Sequence, residues 1–426
     1  MTDNYMLKWG LGWIDFSEED KGKVMKVIEM LQTPGTVDEL GVGVIRNSLS
    51  DAMFNGITTI QTRAKYFFII PWILQSYIVE KIKNKTSLKY LYDEETRIMN
   101  ELTWAQEDPT NQGIIGYTVA LENERYAIPQ RRWKQVERKP STIYWNGLRT
   151  FGFINSQLSL SNLLKLIDKN EINIDNIGYV NGDDENGDDK ETGWKDAVYF
   201  NIPYKPNWQK ELCIDLNNEE ASYLKHRIID TQKDTLLAQI LQNDERIKQF
   251  LKAENFESMT YSPFINDLKP ETQQVLKVAL HFWKILFGAH IRYNVMLQER
   301  HGSENKKIEF ENKWVQWKNE MENFNWNDFD QELMWQITRK HSKVKPRTIE
   351  FINNWIEGVK EPKPTSYLDK IVEKQEKNNK EARAKLSSSN DEQYGSWTGI
   401  DEMEYRFKNV QQIIKDIAQG VGIIYD

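Results

Sequence analysis

Cysteine is nearly missing: Cys213 stands alone in 426 residues. That excludes an internal disulfide framework and a multi-cysteine zinc site, and a reducing, cytoplasmic setting is the expectation. Histidine is scarce as well. His226, His281, His290, His301 and His341 include no i, i+4 pair that would place two imidazoles on one helix face, so they are expected in the core or at the surface rather than on a metal. Long apolar runs are absent. The most apolar window, residues 66–79, carries Pro71, Gln75 and Ser76 and is too short for a bilayer span, so no membrane segment is expected. An excess of positive charge is lacking too. A net charge of −8 argues against coating of DNA or an anionic membrane, although a local basic face remains compatible with it. The first ten residues lack a basic region followed by an apolar core, and no secretory signal is expected.

The common catalytic signatures are missing in the same way. There is no glycine-rich phosphate loop with GKS or GKT, no HExxH and no GxSxG. His341-Ser342-Lys343 opens like the HxKxxxxD signature of phospholipase D, but Thr348 falls where the aspartate is required. The acidic run at 181–193, NGDDENGDDKETG, has the composition of a calcium loop. Aligning Gly187 with the obligatory glycine puts Gly182 at the first ligand position, where it cannot coordinate. A solvated tether explains that run, and neither a cofactor nor a metal is expected.

What is present is aromatic and helical. Hydrophobic residues make up 39% and charged residues 28%, with 15 tryptophans. The length calls for two or three domains. The organising stretch is 56–72, GITTIQTRAKYFFIIPW. It opens on a turn signal, Asn55-Gly56, and a small-polar run, then becomes almost wholly apolar and aromatic from Tyr66, so it reads as a buried central helix that Pro71 kinks or ends. Before it, Val24, Val27, Ile28 and Leu31 follow helical spacing. Thr36 to Glu39 form a capping-box pattern ahead of Leu40, Val44, Ile45, Leu49 and Met53. Most of the second half carries helical spacing, and residues 194–203 read as a strand. The expectation is a mainly α, multi-helix globular protein with a few short strands. Its parts are an N-terminal helical domain at 1–180, an acidic linker at 181–193, a helical domain at 194–360, a charged linker at 361–402 and a C-terminal amphipathic helix at 403–426.

One constellation suggests a function. Residues 125–149 hold Arg125, Arg131, Arg132, Lys134, Arg138, Lys139 and Arg149 against a single acid, Glu137, with Tyr126, Trp133, Tyr144 and Trp145 interleaved. Cationic side chains neutralise phosphates, and Trp133 or Trp145 can stack on bases. The plain alternative is a solvated basic helix face that balances the acidic run. A second cluster at 339–347 could extend the same surface. Arg63 and Lys65, beside the apolar stretch, are expected to form structural ion pairs, with Asp15, Asp38 and Asp51 as partners.

The segments LGWIDFSEED, GTVDELGVGVIRNSLSDAMFNGITTIQTRAKYFFIIPW, PSTIYWNGLRTFGF and YRFKNVQQIIKDI together resemble an uncharacterised bacterial family of unknown function, nearly end to end. Its members are often encoded beside helicases and nucleases in anti-phage defence loci, which implies a defence role here. The family assigns no catalytic residues, so none carry over. Gly116-Tyr117-Thr118 departs from the more basic segment expected there. Three readings follow. The first is a non-enzymatic defence component that binds nucleic acid through 125–149. The second is a scaffold whose C-terminal helix docks a helicase or nuclease partner. The third is an enzyme of unrecognised type with Asp15, Asp51 and Arg63 lining a pocket.

Overall fold

The computed structural model describes residues 38–123, 128–172, 198–387, 397–400 and 403–425. Outside them lie the expected helix at 24–31, the acidic run at 181–193, the start of the expected strand, and Thr36, Asp15, Arg125 and Tyr126. The expected fold class holds. Helices dominate, and among the described residues the only sheet is a two-residue antiparallel pair, β1 (Ile154–Asn155) with β2 (Tyr199–Phe200). No helix among the described residues is long and apolar enough to cross a membrane.

Helix α1 (Gly43–Phe54) begins later than the capping-box pattern implied. Asp38 accepts from the amides of Val42 and Gly43, each at 2.8 Å, and so covers the open donors at the helix entry. Glu39 is buried and instead pairs with Lys380 and Lys385. The organising stretch divides in two. Residues 57–65 are irregular, and α2 (Tyr66–Val79) starts only at Tyr66, with every residue buried as far as Tyr77. Pro71 sits inside this helix and does not end it. Apolar packing on all sides outweighs the backbone hydrogen bond that proline cannot make.

The irregular piece is held by side chains rather than by helix geometry. The Tyr144 hydroxyl accepts from the amides of Thr62 and Arg63 at 2.9 and 3.0 Å and donates to the Arg63 carbonyl at 2.8 Å. Tyr144 belongs to α5 (Pro140–Thr150), which packs on α2 through Phe67 and Tyr66. Between α2 and α5 come α3 (Ser87–Trp104) and the short α4 (Tyr117–Glu122); α6 (Leu160–Asp168) follows β1.

The second half runs through α7 (Asn218–Thr231), α8 (Leu236–Leu241), α9 (Asp244–Lys252), α10 (Phe256–Thr260), α11 (Pro270–His301), α12 (Glu304–Glu322), α13 (Gln331–His341), α14 (Pro346–Lys360), α15 (Thr365–Lys380) and α16 (Phe407–Gly420). The halves expected as separate domains pack on each other. Helix α1 lies against α8, α11 and α13, and one apolar cluster runs from Leu40 to Ala418.

Two expected segments take other roles. The stretch 361–402, expected as a charged linker, contains α15. Its inner face is partly polar and its polar groups are matched: Gln375 donates to the Leu40 carbonyl at 2.6 Å, and Glu376 accepts from the Tyr293 hydroxyl at 3.0 Å and the Lys385 amide at 2.7 Å. The C-terminal helix is not a free docking element. Phe407, Val410, Ile413, Ile414 and Ile417 are fully buried, and α16 packs against α7 and α9. A helix that buries its apolar face inside its own chain has no such face left for a partner.

Candidate nucleic-acid interface

Within the basic stretch the structure separates exposed residues from structural ones. After α4 the chain makes a loop, 128–139, that includes a 3-10 turn at Gln130–Arg132. Asn123, at the end of α4, clamps the loop backbone: its side-chain carbonyl accepts from the Lys134 amide at 2.7 Å, and its amide donates to the Lys134 carbonyl at 3.1 Å. The same amide reaches Asn100 of α3 at 2.9 Å. Trp133 donates its indole N–H to the Ile128 carbonyl at 3.0 Å and meets Trp104 edge to face at 5.4 Å. Val136 rests on Gly116, whose left-handed φ of +81° and lack of a side chain let the loop approach. The departure at Gly116 is therefore a seat for the loop.

The far end of the loop is anchored below the surface. Lys139 is buried, donates to Gln135 at 2.9 Å and lies 5.1 Å from the centre of the Tyr92 ring. Next to it, the buried Glu95 carboxylate accepts from the Ser141 amide at 2.5 Å, at the start of α5. A carboxylate at a helix N-terminus is favoured by the open backbone donors there. Burial nevertheless dominates and pushes the Glu95 carboxyl up to about 7, against the pull of the Ser141 amide and Lys139. Burial also lowers Lys139, with Glu95 opposing.

The nine expected binding residues thus divide. Arg131 and Arg132 are exposed neighbours with no carboxylate partner among the described residues. Lys134 is exposed and pairs with Glu122 at 2.6 Å. Arg138 is half-buried. Arg149 is half-buried and donates to the Ser156 carbonyl at 2.8 Å. Lys139 and Trp145 are buried, and Trp145 donates to the Leu158 carbonyl at 3.3 Å, so neither reaches a ligand at the surface. Trp133 is half-buried and ties down the loop through that hydrogen bond and ring contact. Arg125 lies outside the described residues. In the second cluster Arg339 pairs with Glu332, and Lys340, Lys343 and Lys345 are exposed.

Arg63 and Lys65 form ion pairs, as expected, but with partners far along the chain. Arg63 meets the buried Asp416 at 3.0 Å and Asp215 at 2.5 Å, and Lys65 meets Glu220 at 2.6 Å. The expected partners do other work: Asp38 caps α1, and Asp51 pairs with Arg406 at 2.6 Å. Arg63 and Asp51 are thus each paired with other residues rather than with one another. A small cavity of about 350 Å³ lies beside the Arg63 pair, lined by Asp215, Leu216, Asp416 and Gln419. Among the described residues no group of three or more His, Cys, Asp or Glu side chains is placed to hold a metal ion.

Sequence reasoning missed Asn123 and Glu95, which shape the loop, because neither carries a local signature. Residues 8–175 match the sequence profile of a family of unknown function (DUF6361). The match takes in the organising stretch and the whole loop, and stops short of the C-terminal segment YRFKNVQQIIKDI. No curated protein and no solved structure matches the chain.

Proposed function

We propose that this chain is a nucleic-acid-binding component of a bacterial anti-phage defence system, acting by binding rather than by chemistry, and that loop 128–139 is where it meets phosphate. The defence role rests on the family resemblance in the organising segments. The binding role rests on one observation. Arg131 and Arg132 project from a loop whose backbone is fixed by Asn123, Trp133 and the Gly116 seat, and no carboxylate of the described chain neutralises them.

The remaining geometry supports contact with the backbone rather than with bases. The loop's aromatic ring, Trp133, is half-buried and engaged by Trp104 and by a carbonyl, which favours contact through the exposed arginines. Contacts to phosphate carry affinity without sequence information. With two or three cations in play, binding is in the non-specific range, about 10⁻⁴ to 10⁻⁶ M at physiological salt, and it weakens as salt rises. A mobility-shift assay with short DNA and RNA strands of unrelated sequence tests this. The expected result is binding at low salt that is indifferent to sequence. Absence of any shift at low salt ends the proposal.

A further inference from the structure

Independently of the loop, the second half of the chain carries a cleft of about 810 Å³. It lies between α11, α12 and the turn at Trp326–Asp328, with Glu257 of α10 at its rim. Its shape comes from a close crossing of α11 and α12. Gly288 leaves room for the Trp317 ring to lie against α11, and the Trp317 indole donates to the Lys284 carbonyl at 2.7 Å.

His281 faces this cleft in a fixed state. Its Nδ1 lies 3.0 Å from the Asp328 backbone carbonyl. A carbonyl only accepts, so Nδ1 carries the proton and Nε2 is left as a lone-pair acceptor. Burial lowers the pKa of the ring, which keeps it neutral at neutral pH. Phe324 meets the imidazole edge to face at 5.2 Å and holds its plane. Trp283 and Phe287 add further aromatic wall.

The charge of the lining selects the ligand. Glu257, Glu320 and Asp328 stand against Lys284 alone. Lys284 is held by Glu257 at 2.8 Å, and Asp328 is met from outside the cleft by Lys277 at 3.1 Å. Glu320 has no cationic partner among the described residues. A phosphate or carboxylate ligand would be repelled by these walls. A cation gains from the free carboxylate, from the imidazole lone pair and from the ring faces together. We propose that this cleft binds an organic cation, an alkylammonium or guanidinium group, with Glu320 as its counter-charge, His281 Nε2 as its hydrogen-bond acceptor and the aromatic wall as its platform.

The test titrates the full chain with agmatine, with spermidine and with a capped peptide containing one arginine, reading tryptophan fluorescence and calorimetry; AMP is the anionic control. Saturable binding of agmatine or spermidine assigns the site to a free amine. Binding of the peptide alone assigns it to a cationic side chain of another protein. In either case Glu320→Gln, an exposed position that does not disturb the fold, weakens binding about tenfold. Affinity also falls on acidification, as His281 takes up a proton. The proposal is overturned if none of the three cations saturates below about 10 mM, if AMP binds as well as they do, or if Glu320→Gln leaves affinity unchanged.

Discussion

Replacing Glu95 by glutamine isolates the buried carboxyl beneath the basic loop. In the folded chain that group titrates near 7, against its ordinary 4.5, because it is fully buried. A carboxyl whose pKa is raised by folding favours the folded state only while it is protonated. Its contribution is fully present below about 4.5 and is lost as the pH climbs through about 7. At about 1.4 kcal/mol per pH unit, the interval amounts to roughly 3 kcal/mol. Glutamine keeps an acceptor for the Ser141 amide and never ionises. The stability difference between Glu95→Gln and the parent chain should therefore move in favour of the variant by about 2–3 kcal/mol between pH 4.5 and pH 8. Urea midpoints measured across that range for both proteins give the difference directly, with the titrating groups not coupled to Glu95 cancelling. A flat difference, or one that moves the opposite way, would refute the reasoning and would mean that the carboxyl is solvated or fully matched.

Tyr144→Phe leaves the amides of Thr62 and Arg63 without their shared acceptor, and an expected loss of about 2–4 kcal/mol is checked by chemical denaturation. Asp416→Ala strips the buried partner from Arg63 and an acceptor from the Ala64 amide. The expected loss is about 3–5 kcal/mol, read as a lower melting temperature. Gly116→Ala forces a side chain into a left-handed backbone and against Val136. It should cost about 1–2 kcal/mol or more and speed limited proteolysis within 128–139, with α2 and α5 unaffected.

Much of the fold was legible because it follows apolar spacing. Ile45, Leu49 and Met53 marked α1, and residues from Phe407 to Ile417 marked α16. What escaped is the part specified by polar contacts between distant residues. Helix α15 looked like a linker because Gln375 and Glu376 occupy inner positions, and only their partners Leu40, Tyr293 and Lys385 make that burial tolerable. The irregular run before Tyr66 looked helical because Tyr144 and Asp416, which supply its hydrogen bonds, lie 80 and more residues away. Arg63 was rightly read as one member of an ion pair, but local sequence cannot single out Asp416 from 64 acids. The basic stretch was legible as a composition. Which of its members face outward was not, since that depends on Asn123, Gly116 and the depth at which Lys139 and Trp145 are packed.

The salt dependence of nucleic-acid binding for the parent chain and the Arg131→Glu, Arg132→Glu double variant tests the proposed role most directly. Fluorescence anisotropy with a labelled duplex, repeated over a range of salt, gives the slope of log affinity against log salt. The two arginines should account for a change in that slope of about 2, with weakened binding and an unchanged unfolding midpoint. An identical slope and affinity in the two proteins would contradict a phosphate-binding loop at 128–139.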